Sequence, residues 1–342
     1  MNRTEDKYTQ FALCKEMLET ADVIRNFDPM RTAGIAETVL EKGKLLLTGE
    51  GSSRILPAKF AIRRALTQGI DIQLLTAASR LAETYKLEDF AIFAASNSGR
   101  TKEVIKLLQA QKAAGNTALF GQTAQEDNLL KDYTAETLVL KCGWENAVAA
   151  TKSVVEQALI YQSLLCHVAK DDISDAQENK NALGAAVEEA LTMDIPTEII
   201  EAAAGAGVIH FAGHDDGVAE ELTLKTNEIT RKKSDFLEGT YACHGIEEVM
   251  DETDIIFVID PILDEMEKFK QVLVDGVGAT VVCIATAPVE QFPTLVIQDL
   301  GIMTPIVSLA AGWNLLVEIG ISLGIDLDKP ERARKVGNEF EG

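Results

Sequence analysis

The sequence is short of positive charge, of cysteine and of histidine. Against 54 Asp and Glu stand 32 Lys and Arg, a formal net charge of −22 over 342 residues. A surface of that sign repels nucleic acid and anionic membranes, which are held mainly through Lys and Arg, and no basic helix-turn-helix segment offsets it. The five cysteines (Cys14, Cys142, Cys166, Cys243, Cys283) are widely spaced, form no paired metal-ligand spacing and fit a reducing cytoplasm. The acidic group Glu247, Glu248, Asp251, Glu252 and Asp254 has no regular spacing with histidine and reads as a solvated face rather than a metal site; no cofactor is expected. The first residues, Met1 to Lys7, are charged and lack the apolar core of a leader peptide. The one long apolar segment, Pro305 to Gly324, carries Asn314 and Glu318 and reads as a buried helix rather than a membrane span.

What is present is length and alternation. The chain is long enough for two ordinary domains, and 46% hydrophobic with 25% charged residues is the composition of a soluble globular protein. Residues Tyr8 to Leu40 read as helical. Strands are then predicted at Lys44 to Thr48, Asp71 to Leu75, Asp89 to Ala95, Thr117 to Phe120 and Glu136 to Leu140, with helices between them and a long closing helix from Ala149 to Val168. Such alternation implies a parallel sheet covered on both faces. Lys170 to Lys180 is polar and reads as a connecting segment, leading to helices at Ala182 to Thr192 and Pro196 to Ala204. The pattern then restarts with a strand at Gly207 to Gly213, a helix at Asp216 to Lys232, and strands at Asp254 to Asp260, Thr280 to Ala285 and Thr294 to Ile297. The expected architecture is α/β, two parallel-sheet α/β/α sandwich domains related by duplication. Their expected bounds are a helical segment at 1–42, a first domain at 43–170, a second at 171–330 and a tail at 331–342.

Two strand-to-helix turns carry the chemistry. Ser96-Asn97-Ser98-Gly99-Arg100-Thr101 follows the apolar run ending at Ala95 and opens the helix from Lys102. Gly49-Glu50-Gly51-Ser52-Ser53 follows the first strand and opens the helix from Arg54. Unsatisfied N–H groups and the dipole at a helix start favour an anion, and hydroxyls add donors that rotate to suit it. Ser and Thr before a helix are also ordinary N-caps, and Gly is an ordinary turn residue. Two such turns meeting at the carboxyl edge of a parallel sheet favour the anion site, because open α/β sheets bind ligands at that edge. In the second half the place of Ser96 to Thr101 is taken by Asp260-Pro-Ile-Leu-Asp-Glu265, whose carboxylates repel phosphate. Only the first half is expected to hold the anion.

Gly51-Ser-Ser53, Ser96 to Thr101 and Gly143-Trp-Glu-Asn-Ala-Val-Ala-Ala-Thr-Lys152 together resemble the sugar isomerase (SIS) domain. From about residue 40 onward the chain is similar to double-SIS phosphosugar enzymes, such as the isomerase half of glucosamine-6-phosphate synthase and the related deglycases and sugar-phosphate deaminases. The resemblance implies SIS-type domains in which Ser53, Ser96, Asn97, Ser98 and Thr101 hold a substrate phosphate and Gly51, Ser52, Val148 and Ala149 line the sugar pocket. Glu145 sits where the family pattern has Glu. Leu222 to Ile229 resembles the family's Lys-x-x-Glu helix, which makes Lys225 and Glu228 catalytic. His244 stands at the spacing of the ring-opening histidine, and Lys335 at that of the tail lysine that closes over the sugar. Where the family has Glu-Leu-Lys-His-Gly-Pro, this chain has Tyr241-Ala-Cys-His244-Gly-Ile. The resemblance further implies a cytoplasmic homodimer or higher homo-oligomer with shared active sites.

Interconverting an aldose and a ketose phosphate requires ring opening and proton transfer between C1 and C2. Imidazole suits the first task and a carboxylate over the sugar the second. Lys225 and Glu228 are three apart on a predicted helix and share a face; the same spacing also suits a plain surface ion pair. The implied activity is aldose-ketose isomerisation of a hexose or hexosamine phosphate. The alternatives are an amino-sugar-phosphate deaminase, a fructosamine-phosphate deglycase, or a non-catalytic sugar-phosphate-binding regulator.

Overall fold

Among the described residues ten strands, most of them short apolar runs bounded by turn residues, assemble into two all-parallel sheets of five. β1 (Lys44–Gly49), β2 (Gln73–Ala78), β3 (Ala91–Ala95), β4 (Leu119–Thr123) and β5 (Glu136–Val139) lie in the order β2-β1-β3-β4-β5. β6 (Ile209–Gly213), β7 (Ser234–Glu238), β8 (Ile255–Ile259), β9 (Thr280–Ala285) and β10 (Thr294–Val296) repeat that order as β7-β6-β8-β9-β10. The third strand of each set is buried along its whole length, as a strand covered on both faces must be. The computed structural model describes residues 1–335 and 338–340, with backbone alone at 174–178. The tail expected at 331–342 therefore falls partly outside the described residues.

The long helices are α1 (Ala12–Arg25), α2 (Ala33–Lys42), α3 (Ile55–Gln68), α4 (Lys102–Ala113), α5 (Lys152–Ala169), α6 (Ile173–Thr192), α7 (Thr197–Gly205), α8 (Val218–Ile229) and α9 (Thr304–Ser322). The chain divides into two compact units. One comprises Asp22–Glu145, Ala150–Asn181 and Arg334–Gly342 and contains the first sheet; the other comprises Met1–Ala21, Asn146–Ala149 and Ala182–Ala333 and contains the second.

In the first unit α5 covers one face of the sheet. Tyr161 meets Phe93 of β3 edge-on, with ring centroids 5.1 Å apart, and Phe93 lies 6.2 Å from Phe120 of β4. The buried Arg64 of α3 bonds the Gln162 carbonyl at 3.0 Å and the Cys166 sulfur at 3.1 Å, tying α3 to α5. In the second unit α9 is the core helix. It is long and apolar enough to cross a membrane by length and composition, yet 72% of its apolar window is buried in protein, with Trp313 and Asn314 fully so.

The expected helical stretch Tyr8 to Leu40 is interrupted between Arg25 and Ala33, the second strand runs Gln73–Ala78, and the closing helix starts at Lys152 rather than Ala149; three further elements differ from the sequence reading. The polar stretch 170–180 is not a connector beyond its first residues, since α6 begins at Ile173. β7 was not expected, because Ser-Asp-Phe-Leu-Glu has polar ends and lies at the sheet edge, where burial is partial. Lys270–Val277 forms a π-helical segment where no helix was expected.

Candidate functional site

The strand order places a crevice in each sheet. From β1 the chain crosses to β2 on one side, and from β3 to β4 on the other, so the loops after β1 and β3 part at their carboxyl ends. That is the switch point at which open α/β sheets take ligands. Gly49 and Ala95, the last residues of those strands, are register partners. A Cβ placed on Gly49 would lie 2.8 Å from the Ala95 carbonyl oxygen and 3.5 Å from Ser53 Cβ, so the close approach needs glycine. The structure thus brings Gly51, Ser52 and Ser53 to the edge from which Ser96 to Thr101 depart.

The 96–101 loop is tightly built. Ser96 is buried; its Oγ lies 2.7 Å from Thr101 Oγ1 and accepts from Thr101 N at 3.3 Å. Gly99 N donates to Ser96 O at 2.9 Å, and Arg100 N to Ser98 Oγ at 3.2 Å. Gly99 has φ 67°, and a Cβ there would meet Asn128 Cβ at 2.4 Å, so only glycine fits. The Asn97 carbonyl accepts from Ala124 N at 3.0 Å and from Thr123 Oγ1 at 3.2 Å. Its side-chain amide is covered, yet neither amide atom has a hydrogen-bond partner among the described residues. A buried amide in that state is a candidate ligand contact. The Arg100 guanidinium pairs with Asp127 at 2.9 Å, which leaves the site's donors to be hydroxyls and amides.

Residues 338–340 run beside this loop. Thr101 and Glu339 form an antiparallel bridge, with Lys102 N donating to Asn338 O at 3.0 Å and Phe340 N to Arg100 O at 2.9 Å. Lys335 places its Nζ 3.8 Å from Glu145 Oε2 and 5.7 Å from the Trp144 ring centre. Glu145 is fully buried and accepts from Thr151 N at 2.6 Å, from Thr151 Oγ1 at 2.9 Å and from Ser153 Oγ, which fixes the start of α5. Beside Gly51, burial holds the Glu50 carboxyl above the usual carboxylate range, opposed by backbone N–H groups of Ser79 and Arg80.

The second unit carries the other candidates. On α8 the fully buried Lys225 places Nζ 2.7 Å from Glu228 Oε2 and 3.4 Å from Glu221 Oε1. Glu221 is fully buried, whereas the Glu228 side chain is 22% exposed and is the one that can meet a ligand. Sequence reasoning missed Glu221, although its i,i+4 spacing to Lys225 is a usable signal. His244 follows the short turn Tyr241–Cys243 and is exposed; its backbone N donates to Tyr241 O at 3.0 Å. Among the described residues no hydrogen bond or ion pair joins His244 to Lys225 or Glu228. Val148 and Ala149 also pack with this unit, with Val148 N donating to Asp328 O at 3.4 Å.

At the second switch point, between β6 and β8, His214 Nε2 pairs with Asp260 Oδ2 at 3.3 Å. Gly213, Gly239, Thr240 and Pro261 line a small depression around that pair. No group of three or more His, Cys, Asp or Glu among the described residues is arranged to hold a metal ion.

The chain matches no protein-family model and no curated protein. Its fold does recur in solved structures. The C-terminal domain of glucosamine-fructose-6-phosphate aminotransferase from Francisella tularensis superposes with a TM-score of 0.77 at 18% identity, covering 96% of this chain and 100% of that one. Tagatose-6-phosphate ketose/aldose isomerase from Escherichia coli gives 0.76 at 16% identity, covering 97% and 99%. Glucosamine-6-phosphate deaminase from Thermotoga maritima gives 0.71 at 20% identity, covering 96% and 99%. At these identities the likeness establishes a shared fold.

Proposed function

We propose that the protein is a double-SIS phosphosugar aldose-ketose isomerase acting on a hexose or hexosamine phosphate. The observation that carries this reading is the meeting of two hydroxyl-rich turns, 51–53 and 96–101, at the switch point of one sheet, with no such set in its duplicate. Structural neighbours bearing the names of a sugar-phosphate isomerase and an amino-sugar-phosphate deaminase support the same substrate class.

In this reading Ser53, Ser96, Asn97, Ser98 and Thr101 hold the phosphate by hydrogen bonds, and Gly51, Ser52, Val148 and Ala149 line the sugar. Glu228 carries the proton between C1 and C2. Lys225, pinned between two carboxylates, holds the Glu228 carboxyl group in place. His244 relays the proton of ring opening, and its exposure suits a residue that completes its site in an assembled homo-oligomer. Lys335 contributes its ammonium from the tail. A deaminase or deglycase would use the same phosphate grip and the same proton transfers, and the Thermotoga maritima neighbour favours the deaminase as the second reading.

The test is turnover of a panel of hexose and hexosamine phosphates. At least one is interconverted by the wild-type protein, and Glu228→Gln lowers turnover roughly 10²–10⁴-fold, the range for a lost acid–base group, with affinity held within about tenfold. Full activity in that variant removes Glu228 from the mechanism. Binding without turnover across the panel replaces the enzyme by a regulator.

A further inference from the structure

Glu16 of α1 is 3% exposed, a rare state for a carboxylate, and its two oxygens accept from consecutive backbone N–H groups. Oε1 takes Asn146 N at 2.5 Å and Oε2 takes Ala147 N at 3.2 Å. A buried charge persists only where donors replace water, and two N–H groups from adjacent residues fix the peptide planes on both sides of Asn146.

The next residue is held as well. Val148 N donates to the Asp328 carbonyl at 3.4 Å, while the Asp328 carboxylate accepts from Ala12 N and Leu13 N at 2.8 Å each. Those are the first two donors of α1, the helix that carries Glu16. A closed ring of contacts thus runs from the start of α1 through Asp328 to Val148, along the backbone to Asn146, and back to α1 through Glu16. Every member belongs to one unit. With the N–H groups of residues 146, 147 and 148 all engaged, this backbone has few donors left for an anion and presents carbonyl acceptors. It therefore suits the hydroxyls of a sugar rather than its phosphate.

We propose that Glu16 is a positioning residue that shapes the backbone at Val148 and Ala149 to receive sugar hydroxyls; the assignment rests on the sugar-phosphate reading above. Glu16→Gln retains the length and one acceptor, but turns an amide NH₂ toward the second backbone N–H. The probes are fructose 6-phosphate and glucose 6-phosphate, with inorganic phosphate as the control. The variant is expected to lose at least tenfold in affinity for whichever sugar phosphate the wild type binds, with inorganic phosphate affinity unchanged within twofold. In turnover, KM rises while kcat stays within about threefold. A merely structural role lowers melting temperature without this split.

Amide hydrogen exchange on the wild-type protein provides a second measurement that needs no variant. Asn146 and Ala147 are expected to exchange as slowly as interior amides of α1, and exchange at open-loop rates overturns the proposal. If the wild type binds neither sugar phosphate nor phosphate, the functional reading fails and the assignment with it. If the wild type binds a sugar phosphate and Glu16→Gln binds it equally well, the Glu16 assignment alone is overturned.

Discussion

The two sheets share a strand order and therefore a crevice, but their strands end in opposite chemistry. β3 runs into Ser96, Asn97 and Ser98, with Gly99 in the left-handed region; β8 runs into Asp260, a non-glycine residue at φ 49°, already paired with His214. α3, after β1, starts without a side-chain cap, whereas α8, after β6, starts with Asp216 accepting from Val218 N at 3.0 Å. The helix start that could hold an anion in the second copy is thus occupied by the protein's own carboxylate. Topology supplies the place for a ligand, and the few residues at the strand ends decide its charge.

The most severe way to break this contrast is to make the first loop resemble the second. Ser98→Asp introduces a carboxylate beside the proposed phosphate position, and two like charges about 4 Å apart near a protein surface cost about 4 kcal/mol. Sugar-phosphate affinity, measured by calorimetry, is expected to fall about a thousandfold. Gly99→Ala comes next, since the left-handed backbone costs a non-glycine residue about 1–2 kcal/mol before Asn128 must move; a loss of roughly a hundredfold is expected, and wild-type affinity would mean that the loop does not hold the anion. Ser96→Ala removes one hydroxyl donor and costs about 1 kcal/mol, several-fold in affinity. The counterpart change in the second copy, Asp260→Asn, leaves sugar-phosphate affinity within twofold of wild type.

The smallest effect concerns pH. Burial holds the His210 imidazole of β6 below its usual value, with Asp254 and Asp235 opposing. The unfolded chain therefore takes up a proton first as pH falls. Stability from this residue is full above about pH 6.5 and declines below it, by at most about 1.4 kcal/mol per pH unit, until the folded imidazole is itself protonated. Thermal melting between pH 7.5 and 5 should show this decline, and His210→Gln should flatten it.

The sheets and the hydroxyl-rich loop at 96–101 were legible because their signals are local. Buried parallel strands are apolar runs, and Ser-Asn-Ser-Gly-Arg-Thr at the end of such a run is chemistry within six residues. β7 escaped because an edge strand with polar ends lacks the run. Lys225 and Glu228 show their relation through helical spacing, and so in hindsight does Glu221. Glu16 was illegible for a different reason. Its partners Asn146 and Ala147 lie 130 and 131 residues away, and nothing in a lone Glu on a helix announces that tertiary packing will bury it against a loop. The pairing of Lys335 with Glu145 is likewise a product of the folded chain.

The most direct measurement is a crystal structure after soaking in a mixture of hexose and hexosamine 6-phosphates. The account predicts one sugar phosphate retained, its phosphate oxygens within hydrogen-bond distance of Ser53, Ser96, Ser98 and Thr101. A phosphate seated instead beside His214 and Asp260, or crystals that retain none, would contradict it.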